Sequence, residues 1–324
     1  MYVLELAGEH DEFAAYEARS RASDVSLLAP GLATARGIDR VGTLAFTHRA
    51  SKLLGRSDPS LAGAAALLQA VTLERDGTVA VRAVDVRRTT DIDTQAVERE
   101  LGAILVDRGF DVDLDDPDHV LRALFSAGET GDVCALGWLA AESTRDFGTR
   151  KPSDRPFFQP GSMDPMLARA LVNMAGAGEK TRLLDPMCGT GGILIEAGLV
   201  GSAVIGHDVQ EKMLQGSRQN LDVALMGDWS LLRGTASALP LVDDAVDAVV
   251  FDTPYGRQSK IEGELDTLVA GVLSESRRVA PRCVLVSDRP WETTATETGW
   301  NIETQFQRRV HRSLTRHVFV LTAD

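Results

Sequence analysis

The chain has 324 residues, 44% of them hydrophobic and 25% charged, with a net charge of −13. That length suits two domains with separate cores, and that composition excludes a fibrous or low-complexity protein. No apolar run reaches membrane-spanning length and acids interrupt the N-terminus at Glu5, Glu9 and Asp11, so neither a transmembrane helix nor a signal peptide is expected.

From the N-terminus, Tyr2–Leu6 reads as a strand, Asp11–Arg19 as a helix and Gly42–Phe46 as a strand. Thr78–Val86 is rich in valine and strand-like. Thr94–Arg108 is a helix with Val97, Leu101, Ile104 and Leu105 on one face, stopped by Gly109. Phe110, Val112 and Leu114 alternate as a half-buried strand does, and Val120–Phe125 and Val133–Ala140 complete an α+β sheet. Between Glu142 and Gly161 the chain turns charged and proline-punctuated, and the domain boundary is expected there.

Beyond it, Asp164 caps a helix that opens with Pro165, carries a stripe of Leu167, Ala170, Leu171 and Met174, and ends at Gly176. Strands at Arg182–Asp185, Ala203–Asp208, Ser230–Arg233, Asp247–Asp252 and Arg282–Ser287 alternate with helices at Gly192–Leu199, Gln210–Leu225 and Glu262–Val279. This is the α/β pattern of a doubly wound, mostly parallel sheet. Trp300–Phe306 and Thr315–Leu321 are spaced too closely for a helical crossover, so they form an antiparallel hairpin. A sheet finished that way favours a Rossmann-like methyltransferase over a dehydrogenase.

The first strand-to-helix turn is Asp185-Pro186-Met187-Cys188-Gly189-Thr190-Gly191-Gly192. Its glycines let backbone amides approach a bulky ligand at the positive end of the next helix. Leu194 stands where a dinucleotide fingerprint needs its third glycine. Asp208 ends the second strand, where an acid accepts from ribose hydroxyls in this architecture. Cys188 lies beneath the cofactor rather than beside an acceptor and reads as a packing residue. Cys134, Cys188 and Cys283 form no Cys-x-x-Cys, and the six histidines lack ligand or triad spacing, so neither disulfide nor metal is expected.

The strand Ala248–Phe251 runs into Asp252-Thr253-Pro254-Tyr255-Gly256. The Asp252 carboxylate and the Thr253 carbonyl can each accept one hydrogen of an exocyclic amine, which turns the nitrogen lone pair outward. Pro254 fixes the turn, and Tyr255 can stack on the base. Together the two motifs point to methylation of an amino group.

At these residues, and most particularly at Arg150-Lys151-Pro152-Ser153-Asp154-Arg155-Pro156-Phe157-Phe158-Gln159-Pro160-Gly161-Ser162-Met163-Asp164-Pro165, the whole chain resembles the archaeal tRNA guanine-N2 methyltransferases that modify the guanosine at position 10. The resemblance implies a ferredoxin-like segment at 1–49, a THUMP RNA-binding domain at 50–142, a linker at 143–160 and a methyltransferase domain at 161–324. It implies S-adenosylmethionine held by Asp185, Pro186, Met187, Gly189, Thr190, Gly191, Asp208, Val209, Thr235 and Ala236. The acceptor falls to Asp252, Thr253, Pro254 and Tyr255. Thr253 departs from the family's usual second proline, and Thr235 from its usual acid after Gly234. The same acceptor motif also serves rRNA guanine, adenine-N6 and protein-glutamine methyltransferases, and a non-catalytic RNA-binding relative is a further alternative.

The expected partner is tRNA, met by a cytoplasmic monomer. Its phosphates would meet Arg82, Arg87, Arg88, Arg145, Arg150 and Arg155, unless those arginines pair with nearby acids. The chain has only five lysines, at 52, 151, 180, 212 and 260. An acid-rich, lysine-poor surface stays soluble in concentrated salt, which points to a halophilic host.

Overall fold

The computed structural model describes residues 1–254, 262–311 and 314–323. It divides into two compact units, Met1–Thr144 and Arg145–Asp324. The change of unit thus falls within the proline-punctuated stretch. No described helix is long and apolar enough to cross a membrane.

The first unit runs β1 (Tyr2–Leu6), α1 (Asp11–Ala18), β2 (Ala22–Ser23), β3 (Ser26–Ala29), β4 (Leu32–Ala35), β5 (Gly37–Ile38) and β6 (Thr47–Ser57). It continues with α2 (Leu61–Ala70), β7 (Thr78–Asp85), α3 (Thr94–Asp107), β8 (Asp111–Val112), β9 (His119–Ser126) and β10 (Val133–Glu142). Eight of these strands form one sheet in the order β3-β4-β1-β6-β10-β9-β7-β8. Leu68 of α2 and Val97, Leu101 and Leu105 of α3 pack on it against Val79, Leu121, Phe125 and Trp138.

Three expectations need correction here. Gly42–Phe46 is not a strand. The Glu17 carboxylate takes the amide hydrogens of Ala45 and Phe46, at 2.7 and 2.6 Å, that a ladder would need. The strand begins at Thr47 and runs unbroken through the expected boundary at 49/50. The Phe110–Leu114 strand shrinks to Asp111–Val112, because Asp113 Oδ1 accepts from the amides of Asp115 and Asp116 and turns the chain away. Phe110 is buried, whereas Val112 and Leu114 are exposed. Helix α2, capped by Ser60 Oγ on the Gly63 amide, carries no strong stripe and was not anticipated.

The second unit runs α4 (Pro165–Met174), β11 (Arg182–Asp185), α5 (Gly192–Leu199), β12 (Ala203–Asp208), α6 (Glu211–Ala224) and β13 (Trp229–Arg233). Then come β14 (Ala248–Asp252), α7 (Glu262–Val279), β15 (Arg282–Ser287), α8 (Glu292–Glu297), β16 (Asn301–His311) and β17 (Leu314–Thr322). The sheet order is β13-β12-β11-β14-β15-β17-β16, parallel except for β17 and β16. The strands and helices expected from 164 onward are present with their ends shifted by a residue or two; β16 and β17 run longer than expected, and α8 is additional.

Residues 145–161 are not a free linker. Glu196 of α5 is fully buried and accepts from Arg150 Nε at 2.9 Å and from Arg169 Nη2 at 2.8 Å. The Phe147 ring lies under both guanidinium groups. A buried acid of that kind is tolerable only when paired, so this stretch is anchored to α4 and α5.

Candidate active site

The chain leaves β11 for β12 and β13 on one side and returns to β14 and β15 on the other. That order makes a topological switch point between β11 and β14, and ligands of open α/β sheets bind outside the strand ends there. Asp185 ends β11 and Asp252 ends β14.

On the β11 side, the loop 186–191 is held from below. The Cys188 amide donates to the His207 carbonyl, Ser217 Oγ donates to the Gly189 carbonyl at 2.7 Å, and Asn220 Nδ2 donates to the Thr190 carbonyl at 2.9 Å. Gly191 has φ +79° and lies so close to Ser217 that a Cβ would meet its hydroxyl at 3.2 Å. Asn220 also exchanges two hydrogen bonds with the backbone of Phe157. The Phe157 ring packs against Gly216 of α6, where a Cβ would sit 2.0 Å from it. Through these contacts the segment 157–163 is carried to the mouth of the site.

Two clefts meet over the strand ends. One, of about 250 Å³, is bounded by Gln159–Met163, the glycine loop, Gln210, Met213 and Asp252–Pro254. The other, of about 410 Å³, is bounded by Pro186, Val209, Thr235, Ala236 and Leu268. They share Met187, Asp208, Gln210, Asp252 and Pro254. All the expected cofactor residues except Gly191 line one cleft or the other. The residues not anticipated are Gln159–Met163, Ile193, Gln210, Met213 and Leu268. The turn Gln159-Pro160-Gly161-Ser162, with Gly161 at φ +89° and Ser162 Oγ 3.1 Å from Thr190 Oγ1, is the signal that would have found the first group. A larger cleft of about 640 Å³ lies at the opposite ends of the strands, around Lys180, Arg182 and Asp247, away from both motifs.

The acids differ in their surroundings. Each Asp208 oxygen accepts a backbone hydrogen, from Gly189 at 3.0 Å and Gln210 at 2.8 Å. Asp185 is buried, and burial pushes its carboxyl up to about 8 against the Met187 amide, with the Asp208 charge adding to the rise. Asp252 is raised well above the ordinary carboxylate range. Burial is the first cause; the Arg316 charge opposes it, and the Asp185 and Asp288 charges add to it. Asp252 Oδ1 is closed to solvent and has no hydrogen-bond donor among the described residues. Burial also raises the Cys188 thiol well above its usual range, in keeping with a packing residue. His207 is buried with Nδ1 3.1 Å from the Pro186 carbonyl, a packing position.

Thr253 is buried, and its amide donates to the Val286 carbonyl, which joins the acceptor turn to β15. Threonine at this position supplies an amide hydrogen for that bond, which a proline would lack. Tyr255 lies outside the described residues.

The six arginines divide. Arg150 is committed to Glu196 and Asp146. Arg155 folds inward, its Nη1 placed 2.9 Å from where a Gly192 Cβ would stand. Both therefore face the interior of their unit rather than solvent, as the ion-pair alternative anticipates for Arg150. Arg145 is exposed and lies over Phe147. Arg82 Nη2 donates to the Leu114 carbonyl at 2.6 Å, and Arg87 pairs with Asp11. Arg88 is exposed.

A glycine loop after the first strand, an acid after the second, an acceptor turn after the fourth and a terminal antiparallel hairpin define a Rossmann-like methyltransferase. Residues 152–318 match the UPF0020 family, RMKL-like, methyltransferase domain. The tRNA (guanine(10)-N2)-dimethyltransferase of Methanothermobacter thermautotrophicus is 36% identical over 292 residues, 86% of this chain and 83% of that protein. The protein of that name from Pyrococcus abyssi is 30% identical over 76% of this chain and 74% of its own length. The crystal structure of TrmN from Thermus thermophilus shares the fold, with a TM-score of 0.52 at 22% identity over 100% of this chain and 99% of that one. The chain belongs to the RMKL-like methyltransferase family, and its relatives are archaeal tRNA (guanine-N2)-dimethyltransferases.

Proposed function

We propose that the protein methylates the exocyclic N2 of the guanosine at position 10 of tRNA, once and then again on the same nitrogen, with S-adenosylmethionine as the methyl donor. The observation that carries this reading is Asp252 Oδ1, a buried acceptor without a donor among the described residues, at the switch point between the two clefts.

The cleft residues fit the cofactor. Pro186, Val209, Ala236 and Leu268 offer an apolar slot for a planar base. Asp208 uses one lone pair on each oxygen for the backbone and keeps others for ribose hydroxyls. The Gly189–Gly192 turn opens α5, whose amide end suits the amino-acid carboxylate. When bound, S-adenosylmethionine supplies an electrophilic methyl group on a sulfonium.

The chain's own residues then act on the acceptor. A guanine N2 is a poor nucleophile because its lone pair is delocalised into the ring. Asp252 accepts one N–H and the Thr253 carbonyl accepts the other, which turns the lone pair out of conjugation and stabilises the charge that develops on nitrogen. The dry surroundings that raise the Asp252 pKa also strengthen that hydrogen bond. Tyr255 is proposed as the stacking platform for the extruded base.

Residues 1–142 are proposed as the ferredoxin-like and THUMP parts of a tRNA-recognising unit, with Arg88 as a phosphate contact of that unit and Arg145 as one at the start of the second unit. A halophilic host, cytoplasmic location and monomeric state complete the proposal. Mass spectrometry of nucleosides from tRNA incubated with protein and cofactor tests it. N2-methyl- and N2,N2-dimethylguanosine at position 10 are expected, and methyladenosine, or no product, contradicts it.

A further inference from the structure

We propose that Asp288 selects guanine at the acceptor position by accepting the N1–H of the base whose N2 amino group meets Asp252, an inference that rests on the N2-methylation reading above. Asp288 is the first residue past β15. Strands β14 and β15 pair with Asp252 opposite Val286, and the Thr253 amide donates to the Val286 carbonyl at 2.9 Å. The residues that follow Val286 therefore flank the acceptor turn. In support, the Asp288 charge is felt at Asp252.

The turn that presents Asp288 is braced on both sides. Ser287 Oγ donates to the Arg289 carbonyl at 2.6 Å. The Arg289 guanidinium lies 4.3 Å from the Trp291 ring centroid and pairs with Asp266 of α7. Asp288 itself is exposed, and among the described residues no donor engages its carboxylate. The Asp288 charge disfavours the ionised form of Asp252, so the two carboxylates together favour the arrival of hydrogen-bond donors.

Guanine supplies those donors side by side, N1–H and the N2 amino hydrogens, along its Watson–Crick edge. Adenine offers an N1 lone pair in the same place, which a carboxylate repels. A pair of carboxylates thus reads an amino group next to a ring N–H, the pattern of guanine among the common purines.

The test uses tRNA transcripts that differ only in the target base, guanine or 2-aminopurine. The latter keeps the N2 amino group but carries an acceptor at N1. The wild-type protein is expected to prefer guanine by at least about 100-fold in kcat/KM, because the analogue leaves a site acceptor unpaired. Asp288→Asn presents an N–H donor instead. It should lose about tenfold on guanine and gain about tenfold on 2-aminopurine, which shrinks the preference about 100-fold. Asp288→Ala should lose on guanine without gaining on the analogue. An Asp288→Asn protein with the wild-type preference overturns the role of Asp288 while leaving N2 methylation standing. A wild-type protein that places no methyl on N2 of guanosine overturns both.

Discussion

Arg316 Nη2 stands 3.8 Å from Asp252 Oδ2, within ion-pair range but beyond a hydrogen bond. The guanidinium, reaching in from β17, is the charge that opposes the desolvation of Asp252. The terminal hairpin thus also supplies the cation that favours the ionised form of Asp252.

A pH dependence follows. The ionised carboxylate is the form that pairs with Arg316 and accepts most strongly from the substrate amine, and the Asp252 pKa lies above the ordinary range. The single-turnover rate should therefore rise with pH on an acid limb placed above that of an ordinary aspartate. Arg316→Gln removes the cation that lowers the pKa, so the limb should move to higher pH. A pH–rate profile that does not move in the variant would disconnect Arg316 from Asp252.

Asp185 gives a stability signature with a definite sign. Burial pushes its carboxyl up from the ordinary 3.8 to about 8 in the fold. Between those values the folded protein holds a proton that the unfolded chain has released, so this group's contribution to stability falls as pH rises from about 4 to about 8. Asp185→Asn should flatten that slope in chemical denaturation of the cofactor-free protein. An unaltered slope would show that another group carries it.

Two arginines should separate structure from recognition. Arg150 has a 14% exposed side chain bound to the fully buried Glu196, which keeps Arg169 as a partner, so Arg150→Ala should destabilise the fold by about 1–3 kcal/mol, read by denaturation. Arg88→Ala should leave stability unchanged and lower the salt slope of tRNA binding by about one, as loss of one phosphate contact does. Exchange of these two outcomes would reverse the roles assigned here.

Much of the second unit could be read ahead because its signals are local. Asp185, Asp208 and Asp252 each close a short buried strand, and the glycines and proline after them mark the turns, so the ends of β11, β12 and β14 fell where expected. Other features depend on distant contacts. Glu17 claims the amides of Ala45 and Phe46 from 28 and 29 residues away. Glu196 anchors Arg150 across 46 residues and Asn220 holds Phe157 across 63, which turned an apparent linker into an ordered part of the second unit. The place of Asp288 is set by the pairing of β14 with β15, which no residue spacing shows.

Asp208→Ala should weaken S-adenosylmethionine binding by about ten- to a hundredfold, read by calorimetry, through loss of charged hydrogen bonds of about 1.5–3 kcal/mol. It should also lower stability, because the amides of Gly189 and Gln210 lose their acceptor. Unchanged cofactor affinity would remove the ribose from the edge of β12.

The most direct measurement is made on Asp252→Ala, with cofactor binding followed by calorimetry and nucleosides from treated tRNA followed by mass spectrometry. Cofactor affinity should stay near that of the wild type while N2-methylguanosine disappears, and Asp252→Asn should keep part of the activity through its amide oxygen. Full methylation by the alanine variant would contradict the assignment of Asp252 to the acceptor amine.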